Sequence, residues 1–413
     1  MKTYKLFLLF ILSLLMMVWS ACSDFVDEVD PIIDQVPDDR LNDESQMPFL
    51  IQGVQVRFST MHDQMVTLSE GLGDAFFFDS NVPNATFPTF RDIDVGDIQF
   101  DNNSVDGLYN DIGELRFFAD DLVRRTGEIT FSDDELKKQA LFTGYFFGGI
   151  ARYVYATYIG LNPDEGGGVI DGGPFIPSDQ MYDLALEKFQ QALQNMPGQY
   201  SFGANSGTSD YWTRVVNSVI ARTLLYKGDA ASAQTFAQNG MVEGDPPFQS
   251  LHSNESTNLV WQQAGRGRTQ YVVDPRFKGY IDADSTEANR IQIEEILGND
   301  GVTIFYRQIK YDNFDSPIDF MSWQENELML AELELTSNNA SALARVNNVR
   351  ASHDITPLNS IDKNGLIVER DKELFLTGAR LPDERRFGIF HLPPGKWRYL
   401  PITQNERNSN PNL

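Results

Sequence analysis

Charged residues of opposite sign crowd together most tightly in Leu366 to Gly388, LIVERDKELFLTGARLPDERRFG. Leu366, Ile367, Arg370 and Leu374 recur at helical spacing, so a face that begins apolar carries a cation in its middle. Arg370 and Glu373 stand three apart and can pair on that face. Glu369 and Glu373 stand four apart and repel unless another cation takes one of them. Arg380, Asp383, Arg385 and Arg386 follow past a helix stop at Gly378. Read alone, the set would suit a catalytic or anion-binding cluster. Buried charges persist only when paired, however. We therefore expect Glu369, Arg370, Glu373, Arg380, Asp383 and Arg386 to form a structural ion-pair cluster that locks the helix to the loop behind it.

Other chemistry finds little support. Cys22 is the only cysteine, and no Gly-x-Ser-x-Gly elbow occurs. His62, His252, His353 and His391 are scattered, with no His-Glu-x-x-His, so no metal site is expected. With 59 acidic residues, carboxylate pairs are inevitable and say nothing of glycoside hydrolysis. Gly160 to Gly173 holds six glycines with Asp164, Glu165 and Asp171. It lacks the Lys-Ser/Thr ending of a phosphate loop and the spacing of an EF-hand, so a plain flexible loop is expected. Neither an enzyme nor a cofactor is expected.

Binding is better supported. Residues 71–104 and 242–318 lose helical period and concentrate aromatics, among them Phe76, Phe77, Phe78, Phe87, Phe90, Trp261, Tyr271 and Tyr306. Long irregular segments in a compact domain usually carry function. Aromatic faces suit the apolar faces of sugar rings, and flanking Asn, Asp and Arg orient hydroxyls. Phe76, Phe78, Trp261 and Tyr271 are the candidate ligand contacts.

The frame for these segments is helical. Apolar stripes predict helices over about 44–68 and 105–125, and a Ser132…Glu135 capping box opens one over 136–158. That last helix is apolar nearly all round, which implies burial on most sides, and Gly144, Gly148 and Gly149 would admit a close neighbour. Ser178 caps a helix to about 195. Short turns at Lys227-Gly228-Asp229 and Ser337-Asn338-Asn339 join helices into antiparallel hairpins of tetratricopeptide type. The expected fold is mostly α, a tetratricopeptide-like superhelix of helical pairs with an irregular, loop-rich ligand-binding half.

The N-terminus differs in kind. Lys2 and Lys5 precede the apolar run Leu6 to Val18, then Trp19, Ser20, Ala21 and Cys22. We expect a secretory signal over residues 1–21, too short to span a membrane, with Cys22 as the lipidated first residue of the mature chain. Residues 22–43 form an acidic tether beginning SDFVDEVD, and 44–413 a single domain. A net charge of −26 argues against nucleic acid as a partner.

Taken together, these segments resemble the SusD/RagB family of outer-membrane nutrient-binding lipoproteins. The helix LFTGYFFGGIARYVYATYIG looks like the family's long helix before its glycine loop. PSDQMYDLALEKFQQALQNMP, VVNSVIARTLLYKGDAASAQTFAQNGM and ENELMLAELELTSNNASALARVNNVRAS are similar to its helical pairs. LIVERDKELFLTGARLPDERRFG and the ending LPITQNERNSNPNL resemble its most specific motifs. The resemblance implies a lipid-anchored (palmitate-bearing) protein on the outer membrane, facing outward. It implies capture of glycans, or alternatively peptides, for a SusC-like TonB-dependent transporter. A surface scaffold that binds no ligand is the other alternative. Family ligand residues do not transfer by motif, so the site is placed only by segment, 71–104 and 261–311.

Overall fold

The computed structural model describes residues 38–413 apart from residue 204. The signal segment 1–21, Cys22 and the tether up to residue 37 lie outside the described residues. The chain divides into two units, Met1–Gln46 and Met47–Leu413. The described end of the first holds two short 3-10 turns, Asp38–Leu41 and Glu44–Gln46.

The second unit begins with α1 (Met47–Leu72), β1 (Phe76–Phe77), α2 (Pro88–Asp94), α3 (Asn103–Glu128) and α4 (Asp134–Tyr158). Helix α4 is capped by Asp133, whose side chain accepts from the amides of Glu135 and Leu136, rather than by Ser132. The Glu135 carboxylate also accepts from the amide of Gln199 at 3.1 Å. The all-round apolar surface of α4 is buried between α3 and the helix after it, α5. That helix comes after β2 (Ile159–Asn162), β3 (Glu165–Gly168) and β4 (Ile176–Pro177), and spans Ser178–Gln194. A Cβ on Gly144 would sit 2.5 Å from Val123 of α3, and one on Gly149 2.5 Å from the Phe189 ring of α5. The glycines let both neighbours close onto α4. Ser178 does not cap α5; its hydroxyl donates to the Ala156 carbonyl at 2.6 Å.

The glycine-rich stretch is a β-hairpin and not a flexible loop. β2 and β3 pair antiparallel, β4 extends the sheet, and a C-terminal strand joins β2 in parallel. A Cβ on Gly160 would lie 2.7 Å from the Tyr399 side chain, and one on Gly168 2.7 Å from the Tyr155 ring. These glycines serve close packing against rings, a role that resembles mobility only in composition.

Helical pairs come next. The hairpin β5 (Gln199–Phe202) and β6 (Asn205–Thr208) leads into α6 (Ser209–Lys227), which turns at Gly228 (φ 94°) into the short α7 (Ala230–Ala237). The region expected to be irregular holds β7 (Phe248–Ser250), α8 (Leu259–Ala264), β8 (Val272–Val273), α9 (Pro275–Ala283), β9 (Ile293–Leu297), β10 (Ile304–Gln308) and β11 (Ile318–Met321). The second pair is α10 (Trp323–Glu334) with α11 (Asn339–Ser352). Then come α12 (Lys363–Glu373), α13 (Arg380–Phe387), β12 (Leu400–Pro401) and α14 (Gln404–Ser409). The architecture is mostly α with small peripheral sheets. Its core centres on Phe58, Phe147, Trp212, Phe248 and Phe320, with ring centroids 5.1–6.3 Å apart among touching pairs. Each buried ring contributes about 1.5–3 kcal/mol.

The charged C-terminal stretch is a network. Arg370 does not pair with Glu373 on its own helix. It reaches Asp383 at 2.7 and 3.1 Å, and the stop at Gly378 gives way to helix α13 rather than to a loop. Arg386 joins Asp383 to Glu332 of α10. Glu369 and Glu373 are reconciled by Arg290, which donates to both at 2.7 and 3.2 Å. Arg350 adds a second cation to Glu369, and Arg380 clasps Asp74 at the end of α1. Burial pushes the Asp383 carboxyl up, but Arg370 and Arg386 outweigh it and hold it below the usual carboxylate range. At the chain's end, Asn410 and Asn412 each donate at 2.9 Å to the carbonyls of Gly173 and Gly172. The Asn-Pro-Asn ending therefore fastens the glycine hairpin.

Candidate functional site

The two irregular segments fold onto one another. β1 pairs with β8, Phe76 opposite Val273 and Phe77 opposite Val272. A small satellite core of Val82, Ala85, Val272 and Phe305 closes beneath Phe77 and Phe78. Where this assembly meets the helical frame lies a groove of about 380 Å³. Four helices supply its walls: Gln64 and Leu68 from α1, Phe87 to Phe90 at the start of α2, Asn103 and Ser104 at the start of α3, and Leu259 and Gln263 from α8.

Each wall has a physical cause. Pro88 begins α2 because its fixed φ and missing N–H suit a first helical position, which leaves Phe87 just outside the helix. The loop before it is held by Gln270, fully buried, whose Oε1 accepts from the amides of Thr86 (2.8 Å) and Phe87 (3.0 Å). The Gln270 amide also donates to the Asn84 carbonyl. The Arg268 guanidinium lies 4.2 Å from the Phe87 ring centroid and bonds Thr86. Asn102 caps α3 through the amides of Ser104 and Val105 and ties back to the Thr89 carbonyl, joining α2 to α3. Gln64 donates to the Ser104 carbonyl, and Thr89 and Ser104 share a 3.0 Å hydroxyl bond. Gln263 is only 7% exposed, and its side-chain oxygen has no hydrogen-bond partner.

No titratable side chain lines the groove, although the chain carries a net charge of −26. Its walls offer an aromatic ring, amides, hydroxyls and an open acceptor. Such a surface holds a neutral ligand by ring contact and hydrogen bonds. Its lining holds no carboxylate pair for glycoside hydrolysis, and the Arg268 guanidinium beside it is stacked on the Phe87 ring.

The four ring residues singled out from the sequence do not line this groove. Phe76 (1% exposed) and Tyr271 (0%) are stacked on each other at 5.7 Å in the core, and the Tyr271 hydroxyl donates to the Phe90 carbonyl. Those two are packing groups that hold α2 in place. Phe78 and Trp261 are half-buried, and Trp261 packs edge-on to Phe314 at 6.2 Å. Sequence reasoning missed Gln263, Gln270, Gln64, Asn102 and Ser104, because isolated polar residues carry no periodic signal.

The structure also gathers side chains that the sequence scatters. Ser250 Oγ bonds His62 Nδ1 at 2.8 Å and His252 Nε2 at 3.2 Å, and His252 lies 3.6 Å from Asp63. The order imitates a hydrolytic triad, but Ser250 and His62 are wholly buried beneath Phe58 and Phe320. Burial holds both imidazoles well below their ordinary pKa, His252 at about 4, so this is a polar tie between α1 and β7. Asp74, Glu384 and His391 also come together, yet Asp74 is already held by Arg276 and Arg380, which leaves little for a metal ion. Among the described residues no helix is long and apolar enough to cross a membrane.

No family model and no curated protein matches the sequence. Solved structures do match. A laminarin-binding SusD-like protein superposes with a TM-score of 0.72 at 14% identity, covering 90% of this chain and 100% of its own. A SusD superfamily protein from Bacteroides thetaiotaomicron gives 0.72 at 13% identity, covering 90% and 98%. NanU of B. fragilis gives 0.65 at 14%, covering 93% and 98%. Such likeness over nearly the whole length of both chains, with the mostly helical architecture above, identifies the fold of this chain as that of the SusD superfamily.

Proposed function

We propose that the protein binds neutral glycans in the groove between α1, α2, α3 and α8. The uncharged, ring-and-amide lining of that groove is the observation that carries the reading. The structural likeness to a laminarin-binding protein supports it. A hexose packs against Phe87 beside the Arg268 guanidinium, while Gln263, Gln64 and the Thr89–Ser104 hydroxyls meet its hydroxyl groups. The sequence signal before Cys22 supports anchoring on the outer membrane through lipid, with the Met47–Leu413 unit delivering ligand to a SusC-like TonB-dependent transporter. Calorimetry of the full chain against neutral oligosaccharides and uncharged peptides tests the reading. Saturable binding of a glycan supports it; binding of peptides alone would transfer the groove to the peptide reading.

A further inference from the structure

A second cavity, of about 260 Å³, is lined by Ser178, Tyr182, Tyr226, Arg385, Arg386 and Tyr399, none of which lines the groove. Its two arginines differ. Arg386 is spent: Glu332 accepts from both its terminal nitrogens and Asp383 from its Nε. Arg385 donates only to the backbone carbonyls of Arg398 (2.7 Å) and Thr157. It stacks on the Tyr399 ring, 4.1 Å from its centroid. Among the described residues no carboxylate pairs with Arg385, in a chain with 59 acidic and 33 basic residues.

A guanidinium has five N–H donors, and two neutral carbonyls leave its charge uncompensated. Tyr226 lines the same cavity, and its hydroxyl oxygen is buried without a hydrogen-bond partner. The Ser178 hydroxyl donates to Ala156 and keeps its oxygen free to accept. A planar guanidinium matches a carboxylate through paired hydrogen bonds, and the tyrosine rings suit the flat face of a sugar. The volume admits about one pyranose ring. We propose that this cavity is a second ligand site, taking a single carboxylate-bearing sugar of the hexuronate class.

The test uses the full chain with glucuronate and glucose as probes, monitored by calorimetry or ligand-observed NMR. Glucuronate should bind saturably, and glucose at least about tenfold more weakly at this site. Arg385→Gln should weaken glucuronate about tenfold or more, while Phe87→Ala in the groove leaves it unchanged. Because Arg385 also ties two backbone carbonyls, Tyr226→Phe provides a variant that removes only an unpartnered hydroxyl. It should weaken glucuronate severalfold with an unchanged melting temperature. Equal affinity for the two sugars, or no saturable glucuronate binding, would overturn the proposal. So would glucuronate binding abolished by Phe87→Ala and kept in Tyr226→Phe. Failure here leaves the groove's affinity for neutral glycans to be decided separately.

Discussion

Arg370 and Asp383, thirteen residues apart, meet through two parallel hydrogen bonds of 2.7 and 3.1 Å in the interior, where Arg370 is 1% exposed. The pair joins α12 to α13 across the turn at Gly378, and Arg386 carries the connection on to α10. Removing one partner strands a buried charge, which typically costs about 3–5 kcal/mol. Arg370→Ala should therefore lower the denaturant midpoint sharply, while folded protein at low temperature keeps its glycan affinity. A fully stable Arg370→Ala protein that no longer binds would overturn the structural assignment.

Glu70 gives the pH dependence a definite sign. It is fully buried in α1, accepts the Gly378 amide at 2.6 Å, and leaves its second oxygen unpartnered. Burial pushes its carboxyl from 4.5 up to about 8, against the pull of the Gly378 amide. Between those values the unfolded chain has lost a proton that the folded chain keeps. Stability then falls as pH rises, by up to about 1.4 kcal/mol per pH unit from this group. Glu70→Gln keeps an acceptor and removes the ionisation, so urea midpoints should gain at pH 8 and change little at pH 4.5. An equal gain at both pH values would contradict this.

The Phe87 loop depends on Gln270, which accepts two of its amides and donates to Asn84. Gln270→Ala leaves buried groups unpaired at about 1–3 kcal/mol. Because it touches no ligand, its effect should appear as weaker glycan binding together with a lower melting temperature. Phe87→Ala, which unpairs no buried polar group, should lose more binding for a smaller drop in melting temperature. Matching profiles for the two variants would remove the positioning role.

Much of the frame was legible in the sequence, for reasons that the structure makes plain. Helix α4 was readable because its all-round apolar surface and its glycines match burial between two close neighbours. The two tight turns were readable because Gly228 and Asn338 are turn and cap residues in fact. Pairing of charges was not. Arg370 chose Asp383 over Glu373, and the cation that relieves Glu369 and Glu373 came from Arg290, some eighty positions upstream. Which aromatic rings face outward was equally hidden. Phe76, Tyr271 and Phe87 share one composition-rich region, but the β1–β8 pairing turns the first two inward and proline at residue 88 leaves the third at a groove.

Anchoring is tested at Cys22, outside the described residues. Cys22→Ala should shift the protein from the membrane to the soluble fraction, since acyl chains hold by burial of their methylenes. Unchanged membrane retention would sink lipidation at this residue.

The central claim, that an uncharged groove beside Phe87 captures neutral glycan, is met most directly by titrating one bound oligosaccharide into wild type and Phe87→Ala at low and high salt. Phe87→Ala should lose at least about tenfold in affinity, roughly 1.4 kcal/mol, when measured at a temperature where the variant is fully folded. Affinity should show almost no salt dependence for either protein, because the ligand carries no charge to be screened. Undiminished binding by Phe87→Ala, or affinity that collapses with salt, would contradict it.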